Sequence, residues 1–310
     1  MTTVTDPPGR PRARDAGRAV EPTRTGIADA RDGVRIAFDV YGTGATTIVL
    51  LPSAPIIHAR QWKGQIRYLS RHHRVVAYDG RGNGRSDRPV DPAAYADEWF
   101  TSDIATVMDA TQTDRAVLVG LCSDAVWRAV LLAVAEPQRV DGIVAFAVGV
   151  PLLTPPNPWR VEWSFEDELP TDEGWAKLNR HYWRRDYPGF AQFWFDQTAS
   201  EPHSTKLIED CVTWALDGSA EAMLSDADAP SSLDLAAVEA TCRTVACPML
   251  LVHGTKDHCQ PLSRAKRLSE LTGAPLVVVE GADHMIPGRH PVLANLLIRD
   301  FVRSLQEGVS

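Results

Sequence analysis

Three features are scarce or missing in this 310-residue sequence: long apolar runs, an excess of positive charge, and an even set of cysteines. No apolar run approaches the roughly 20 residues that cross a bilayer, so we expect no membrane association. The net charge of −8 argues against a nucleic-acid partner, because phosphate binding needs a basic face. Five cysteines cannot all pair, which argues against a disulfide framework.

The one basic cluster lies at the N-terminus, where arginines mix with Pro, Gly and acidic residues from Arg10 to Arg24. This stretch contains no apolar core of a signal peptide and no lipid-anchor motif. We therefore expect a disordered tail over residues 1–23 and a cytoplasmic protein.

A metal site has little support in the sequence. Cys242, Cys247, His258 and Cys259 are near one another along the chain, but their spacing matches no common zinc pattern. No dinucleotide fingerprint is present either. We expect no metal and no cofactor.

Short apolar runs bounded by Gly, Pro or Asp recur along the chain and predict strands that are buried on both faces. These runs are 47–51, 74–78, 116–119, 142–146, 249–252 and 276–279. Apolar residues at helical spacing predict helices between them, over 97–110, 125–135, 262–271 and 291–305. The alternation predicts an α/β fold with a doubly wound, mostly parallel sheet and right-handed crossovers.

Residues 151–240 interrupt this alternation, since they are rich in Trp, Pro and charge and contain no clear strand. We interpret them as a helical cap inserted into a core made of residues 24–150 and 241–310. Most of the aromatic side chains in the cap are expected to pack rather than to contact a ligand.

The segment from Val119 to Ala125 follows an apolar strand and opens a helical pattern, as a nucleophile elbow of the type G-x-S-x-G does. Gly120 supplies the first small residue of the motif, and Cys122 takes the position of the nucleophile. Asp124 stands where the second glycine is expected, so the elbow must open slightly or turn this side chain outward. Ser123 is an alternative nucleophile, but it places a leucine in the first small position. Cys122 as a small buried apolar residue is the remaining interpretation.

Two further polar residues follow strands in the order that a catalytic triad of this kind needs. Asp257 follows the run at 249–252, and His284 follows the run at 276–279. Asp283 is a rival for the acid but neighbours His284 in sequence. His258 and His290 are weaker alternatives for the base.

These segments resemble the α/β-hydrolase superfamily, and especially an actinobacterial branch whose members also occur fused to cyclase domains. The residues that carry the resemblance are 57–62, 78–89, the elbow, 136–140, the Asp257 loop, His284 and the cap segment 179–183. The resemblance implies an eight-stranded sheet, and it implies that the glycine-rich turn from Gly80 to Gly84 is structural. Cys122, Asp124 and Pro52 depart from the family pattern.

The oxyanion hole of this fold combines the amide after the nucleophile with one amide from an early loop. That assigns the backbone N–H groups of Ser123 and Ala54. Pro52 has no N–H to donate, and the Ser53 hydroxyl is a possible further contact.

We interpret the sequence as an enzyme that acts on an ester or thioester through Cys122, His284 and Asp257, with a covalent thioester intermediate. The outcome is hydrolysis, as in an esterase or thioesterase, or acyl transfer or cyclisation. The expected partner is a small acyl substrate, and the chain is a monomer or a homodimer. The alternative is a non-catalytic protein of the same fold that binds a small molecule or a partner.

Overall fold

The computed structural model describes residues 19–231 and 234–307, so residues 1–18 of the predicted tail lie outside the described part. Eight strands form one sheet in these residues. They are β1 (Arg24–Asp29), β2 (Arg35–Tyr41), β3 (Thr47–Leu50), β4 (Arg74–Tyr78), β5 (Ala116–Leu121), β6 (Val140–Phe146), β7 (Met249–Gly254) and β8 (Leu276–Val279). Their order is β1-β2-β4-β3-β5-β6-β7-β8. The β1–β2 and β2–β4 pairs are antiparallel and the other pairs are parallel, which confirms the predicted sheet.

Helices connect the strands, as the sequence predicts. They are α1 (Lys63–Leu69), α2 (Asp97–Ala110), α3 (Cys122–Ala135), α4 (Arg180–Arg185), α5 (Tyr187–Thr198), α6 (Thr205–Leu216), α7 (Ala220–Ala227), α8 (Leu235–Arg243), α9 (Leu262–Thr272), α10 (Ile286–Arg289) and α11 (Pro291–Glu307). Helix α3 begins three residues earlier than predicted, at Cys122. In the described part of the chain, no helix has the length and apolar character needed to cross a bilayer.

The apolar strands bury both of their faces, as their sequences predict. In β3, Ile48 and Leu50 pack into one core cluster, while Val49 belongs to a second cluster on the opposite side of the sheet. All three side chains are completely buried. Because successive side chains of a strand point to opposite faces, continuous apolar runs are what a sheet covered on both sides requires.

Strands β1 and β2 were not among the predicted strands. Both lie at one end of the sheet and pair antiparallel. Strand β1 is exposed along most of its length, and Asp39 interrupts the apolar residues of β2, so neither contains a continuous apolar run of the kind that identified the central strands.

Five helices, α4 to α8, lie between β6 and β7, and the described residues between Phe146 and Met249 contain no strand. The helices occupy much of residues 180–243, whereas residues 151–173 contain none, and the bounds of the predicted cap stay a prediction. Trp183 and Phe190 of this insertion pack into the same core cluster as Leu50 of the sheet. The insertion therefore covers the carboxyl end of the central strands.

The glycine-rich turn after β4 is held by protein groups. Asp79 accepts hydrogen bonds from the backbone N–H of Ala59 at 3.2 Å and of Arg85 at 3.1 Å, and from Arg85 Nε at 2.9 Å. A side chain at Gly84 (φ +58°) would collide with Asp79, since an added Cβ would lie 2.6 Å from its Cγ. The turn is accordingly a structural anchor between β4 and the loop after β3.

Arg81 in this turn is fully buried and forms two ion pairs, with Asp32 and with Asp103 of α2, both at 2.7 Å. A buried charge that loses its partner cannot recover the energy lost on leaving water.

We predict that Asp103→Ala lowers the free energy of unfolding by about 3–5 kcal/mol, because Arg81 is left partly unpaired. Asp109→Ala on the same helix is the matched control: the Asp109 side chain is exposed, its partner Arg139 also pairs with Glu136, and the expected loss is within about 0.5 kcal/mol. Urea denaturation of both variants measures the difference. An equal decrease in the free energy of unfolding in the two variants would contradict the structural role of the Arg81 ion pairs.

Candidate active site

Cys122 lies at the junction of β5 and α3 with a φ of +75°. A non-glycine residue in the left-handed region stores of order 1–3 kcal/mol of strain, which the surrounding structure must offset. Gly120 permits the sharp turn, because a Cβ there would approach Ala125 Cβ to 3.1 Å. The strained turn presents the thiol at the carboxyl edge of the sheet, as the sequence predicts for a nucleophile elbow.

Asp257 and His284 come together across two neighbouring loops. His284 Nδ1 lies 2.9 Å from Asp257 Oδ2 and 3.1 Å from Oδ1, and both side chains are buried. The backbone N–H groups of Cys259 and Gln260 each donate to Asp257 Oδ1 at 2.8 Å. Because Nδ1 is engaged by the carboxylate, Nε2 is the ring nitrogen left to face Cys122.

The Cys122 thiol is paired with both Cys259 and His284. The two cysteine sulfurs and a ring nitrogen of His284 all lie within 4.8 Å of one another. A hydrogen bond from Cys259, followed by the charge of His284, holds the pKa of Cys122 well below that of an ordinary thiol. Burial opposes the cationic form of His284, but Asp257 and Cys122 together raise its pKa well above the usual value. The arrangement favours a thiolate–imidazolium pair.

Asp257 stays ionised in this site. Burial alone would raise its pKa, but His284, then His253 and the Gln260 amide, hold the pKa of Asp257 below its usual value. A charged carboxylate on Nδ1 is what the imidazolium needs for orientation and stabilisation.

Cys259 and Gln260 are site residues that the sequence interpretation missed. The Cys259 pKa is raised well above the ordinary value by its bond to Cys122, so it acts as the donor of the pair. Gln260 Nε2 lies 3.6 Å from the Cys259 sulfur and 3.9 Å from the Cys122 sulfur. The sequence feature that could have identified them is their position two and three residues after Asp257, in the turn whose backbone N–H groups bind the Asp257 carboxylate.

The rival residues have other partners. Asp283 accepts hydrogen bonds from the backbone N–H of Glu201 and of Met285, each at 3.0 Å. His290 pairs with Glu201 at 2.9 Å. His258 stacks on Trp159 with ring centroids 5.0 Å apart.

Ser123 Oγ lies 3.6 Å from the Cys122 sulfur, beside the thiol. Among the described residues, Cys259 clusters with Cys122 and His284 rather than with Cys242 or Cys247.

Asp124 lies in the first turn of α3, partly buried, where it lines the cavity beside Cys122. Burial raises the pKa of Asp124 to about 6, Cys122 and Asp97 add to the rise, and Arg128 opposes it. Burial likewise raises the pKa of Asp226, on the far side of Arg128, to about 7. The Asp124 side chain therefore faces the cavity. The sequence analysis left open whether it would instead turn outward to solvent.

The predicted oxyanion amides belong to residues that line the same cavity as Cys122, namely Ala54 and Ser123. Ser123 is in the first turn of the 14-residue helix α3, where backbone N–H groups have no intrahelical acceptor. The Ser53 hydroxyl instead donates to the Leu121 carbonyl at 2.8 Å, so its proton is not directed into the cavity. The roles of the two amides stay predictions.

A cavity of about 180 Å³ opens over Cys122 and His284. Its floor carries Cys122, Gln260 and His284, and its walls are apolar side chains contributed mainly by the inserted helices. These are Leu178, Trp183, Phe190, Trp194, Phe195 and Met223. A larger surface cleft of about 650 Å³, around His58 and Trp214, includes no triad residue.

Residues 46–291 match the family model of the alpha/beta hydrolase fold. The chain belongs to this family. A non-heme chloroperoxidase from Streptomyces lividans is 28% identical over 289 residues, which cover 90% of this chain and 100% of that protein.

Two solved structures superimpose on the chain. An esterase from Exiguobacterium antarcticum does so with a TM-score of 0.75 at 21% identity, over 89% of this chain and 98% of its own. An enol-lactonase from Burkholderia xenovorans LB400 does so with a TM-score of 0.72 at 22% identity, over 90% of this chain and 100% of its own. The α/β-hydrolase fold predicted from the sequence is therefore confirmed, while the assignment to an actinobacterial branch stays a prediction.

We predict that iodoacetamide alkylates Cys122 with a pH midpoint well below that of an ordinary thiol, and that His284→Ala moves the midpoint upward. The sign follows because the variant loses the cation that stabilises the thiolate, so the thiol retains its proton to higher pH. Peptide mass mapping separates Cys122 from the other four cysteines. His290→Ala is the control and should leave the midpoint in place; an unchanged midpoint in His284→Ala would reject the ion pair.

We predict that Asp124→Asn raises stability only at higher pH. The folded-state pKa of Asp124, about 6, exceeds its unfolded value of 3.8, so the wild type loses stability as pH rises through this window. The two-unit difference corresponds to about 3 kcal/mol, which partial exposure reduces to about 1 kcal/mol.

Thermal unfolding should show equal Tm values near pH 4 and an Asn variant about 2–4 °C higher above pH 7. Asp196→Asn, at an exposed position of α5, should show no such trend. A Tm difference between Asp124→Asn and wild type that is constant across pH would refute the assignment.

Proposed function

We propose that this protein cleaves the acyl bond of a small ester or thioester through a covalent intermediate on Cys122. The observation that carries the proposal is the thiol at a left-handed elbow, paired with a histidine whose Nδ1 is held at 2.9 Å by a buried aspartate. The triad follows the chain order that this fold family requires.

In the first half of the reaction the Cys122 thiolate attacks the carbonyl carbon, and the carbonyl oxygen becomes an oxyanion. We assign the amides of Ala54 and Ser123 as its donors, each worth about 2.7–4 kcal/mol in comparable sites. The bond to the leaving group then breaks, and His284 gives its Nε2 proton to the departing alcohol or thiol. A thioester on Cys122 and a neutral imidazole remain.

In the second half His284 removes a proton from the incoming nucleophile, which attacks the thioester and releases Cys122 as a thiolate. Water as the nucleophile gives hydrolysis, as in an esterase or thioesterase. An amine, thiol or hydroxyl gives acyl transfer, or cyclisation when it belongs to the same acyl chain. Thioesters react more readily with amines and thiols than with water, so the cysteine favours transfer.

The shape of the site favours a small, apolar acyl group. The cavity holds about 180 Å³, and aromatic side chains of the inserted helices form much of its wall. The superimposing structures include an esterase and an enol-lactonase, which by their names act on ester-type carbonyls. We further propose that the insertion acts as a cap and that the protein works in the reducing cytoplasm, where the thiols of Cys122 and Cys259 stay free.

Intact-mass spectrometry after incubation with aryl esters and acyl thioesters tests the proposal. We expect an acyl adduct on the wild type, no adduct on Cys122→Ala, and turnover lower by about 10³-fold or more in Cys122→Ala and His284→Ala. Cys247→Ala is the matched control, because that cysteine is remote from the cavity, and its adduct should match the wild type.

Decay of the adduct in buffer alone, against decay with an added amine, separates hydrolysis from transfer. Full turnover in Cys122→Ala would overturn the cysteine mechanism. Saturable ligand binding with neither adduct nor turnover across the panel would favour a non-catalytic binding protein of the same fold.

A further inference from the structure

Three ligand atoms for a soft metal ion converge at the floor of the cavity. The sulfur of Cys122, the sulfur of Cys259 and a ring nitrogen of His284 all lie within 4.8 Å of one another. The three residues come from loops after β5, β7 and β8, so the parallel sheet brings them to one edge. We propose that these residues form a binding site for a thiophilic divalent cation of the Zn²⁺ class.

The distances suit such an ion after small side-chain adjustments. Zinc lies about 2.3 Å from thiolate sulfur and about 2.0–2.1 Å from imidazole nitrogen, which places tetrahedral ligand atoms about 3.4–3.8 Å apart. The observed upper bound of 4.8 Å exceeds this by about 1 Å. Rotation of the Cys259 side chain covers such a difference without moving the backbone or breaking the bond between His284 and Asp257.

The surroundings of the three ligands match those of metal sites. His284 donates its Nδ1 proton to Asp257 at 2.9 Å, and this bond fixes the tautomer whose Nε2 lone pair is free to coordinate. Gln260 Nε2 lies 3.6 and 3.9 Å from the two sulfurs, where an amide donor stabilises thiolates. Arg264 hydrogen-bonds Gln260 Oε1 and adds positive charge behind the sulfurs.

The choice of ion follows from the ligand types. Two sulfurs and one imidazole favour zinc-like ions and disfavour magnesium or calcium, which prefer oxygen. On binding, Cys259 and the His284 imidazolium each release one proton to solvent, while Cys122 binds as the thiolate it already is. The complex of M²⁺, two thiolates and neutral imidazole carries no net charge. The fourth position faces the cavity and is open to water or a small ligand.

The site has a consequence for reactivity. A metal-bound Cys122 sulfur has its lone pair engaged and is no longer a free nucleophile, while His284 Nε2 can no longer take a proton. Metal binding and alkylation or acylation of Cys122 are therefore mutually exclusive. Cys259, which the acyl chemistry does not use, has a direct role as the second thiolate ligand.

The test is direct metal binding by the full chain, freed of metal and kept reduced with a phosphine. Zn²⁺ is titrated against a chromophoric chelator, and Co²⁺ is used as a spectroscopic probe of tetrahedral thiolate ligation. We expect one Zn²⁺ per chain, intense thiolate-to-cobalt absorption, and an affinity that rises with pH because Cys259 and the His284 imidazolium must each lose a proton.

Cys259→Ala should weaken Zn²⁺ binding by at least about 100-fold, the upper end of the cost of losing even an outer partner of a metal ligand. Cys247→Ala, at a cysteine outside the cluster, should bind as the wild type does. Equal affinity in Cys259→Ala and wild type, or the absence of stoichiometric binding in the wild type, would overturn the site.

A second readout does not depend on the folding of a variant. In the wild type, Zn²⁺ should block iodoacetamide labelling of Cys122, with labelling restored by a chelator, while Cys247 labels equally with and without the metal. Unprotected Cys122 at saturating Zn²⁺ would contradict the proposal. Both readouts measure metal binding rather than turnover, so their outcome does not depend on whether the proposed acyl chemistry is correct.

Discussion

The hydrogen bond between Asp257 and His284 Nδ1 is the interaction on which the rest of the site depends. It fixes the ring so that Nε2 faces Cys122, and it places a buried negative charge where an imidazolium needs one. The aspartate is itself held by two backbone N–H groups of the turn that follows it. Both the acyl chemistry and the metal site proposed for this protein use the nitrogen that this bond leaves free.

The residues around Cys122 act on the thiolate in opposite directions. Cys259 and His284 favour it, whereas Asp124 and Asp226 bring carboxyl groups into a partly enclosed region close by. The pKa values of these carboxyls, raised to about 6 and about 7, show that part of their negative charge is removed near neutral pH. Arg128, which pairs with Asp97 at 3.2 Å and Asp226 at 3.9 Å, adds a positive charge that opposes the rise of both pKa values. The altered elbow can therefore hold a thiolate although an acidic residue replaces the second glycine.

Prediction from the sequence succeeded where one local signal decides the structure. The central strands were identified by apolar runs, and α2 by its spacing from Asp97 to Ala110. Strands β1 and β2 were missed, because β1 is largely exposed and Asp39 interrupts the apolar residues of β2. The elbow and the loops of Asp257 and His284 were identified because each follows a buried strand. Cys259 was not identified, since its contact with Cys122 joins residues 137 positions apart in the chain.

By itself the sequence determined the family and the layered sheet, because buried strands and the turns that follow them depend on local residue types. It also predicted Cys122, Asp257 and His284 as nucleophile, acid and base. Only the tertiary structure decided which groups surround the thiol. The carboxyl ends of β5, β7 and β8 meet at one edge of the sheet, and this brings Cys259 and Gln260 to Cys122 and leaves Asp283 and His290 with Glu201. Such convergence follows from strand order and packing, which residue spacing along the chain does not contain.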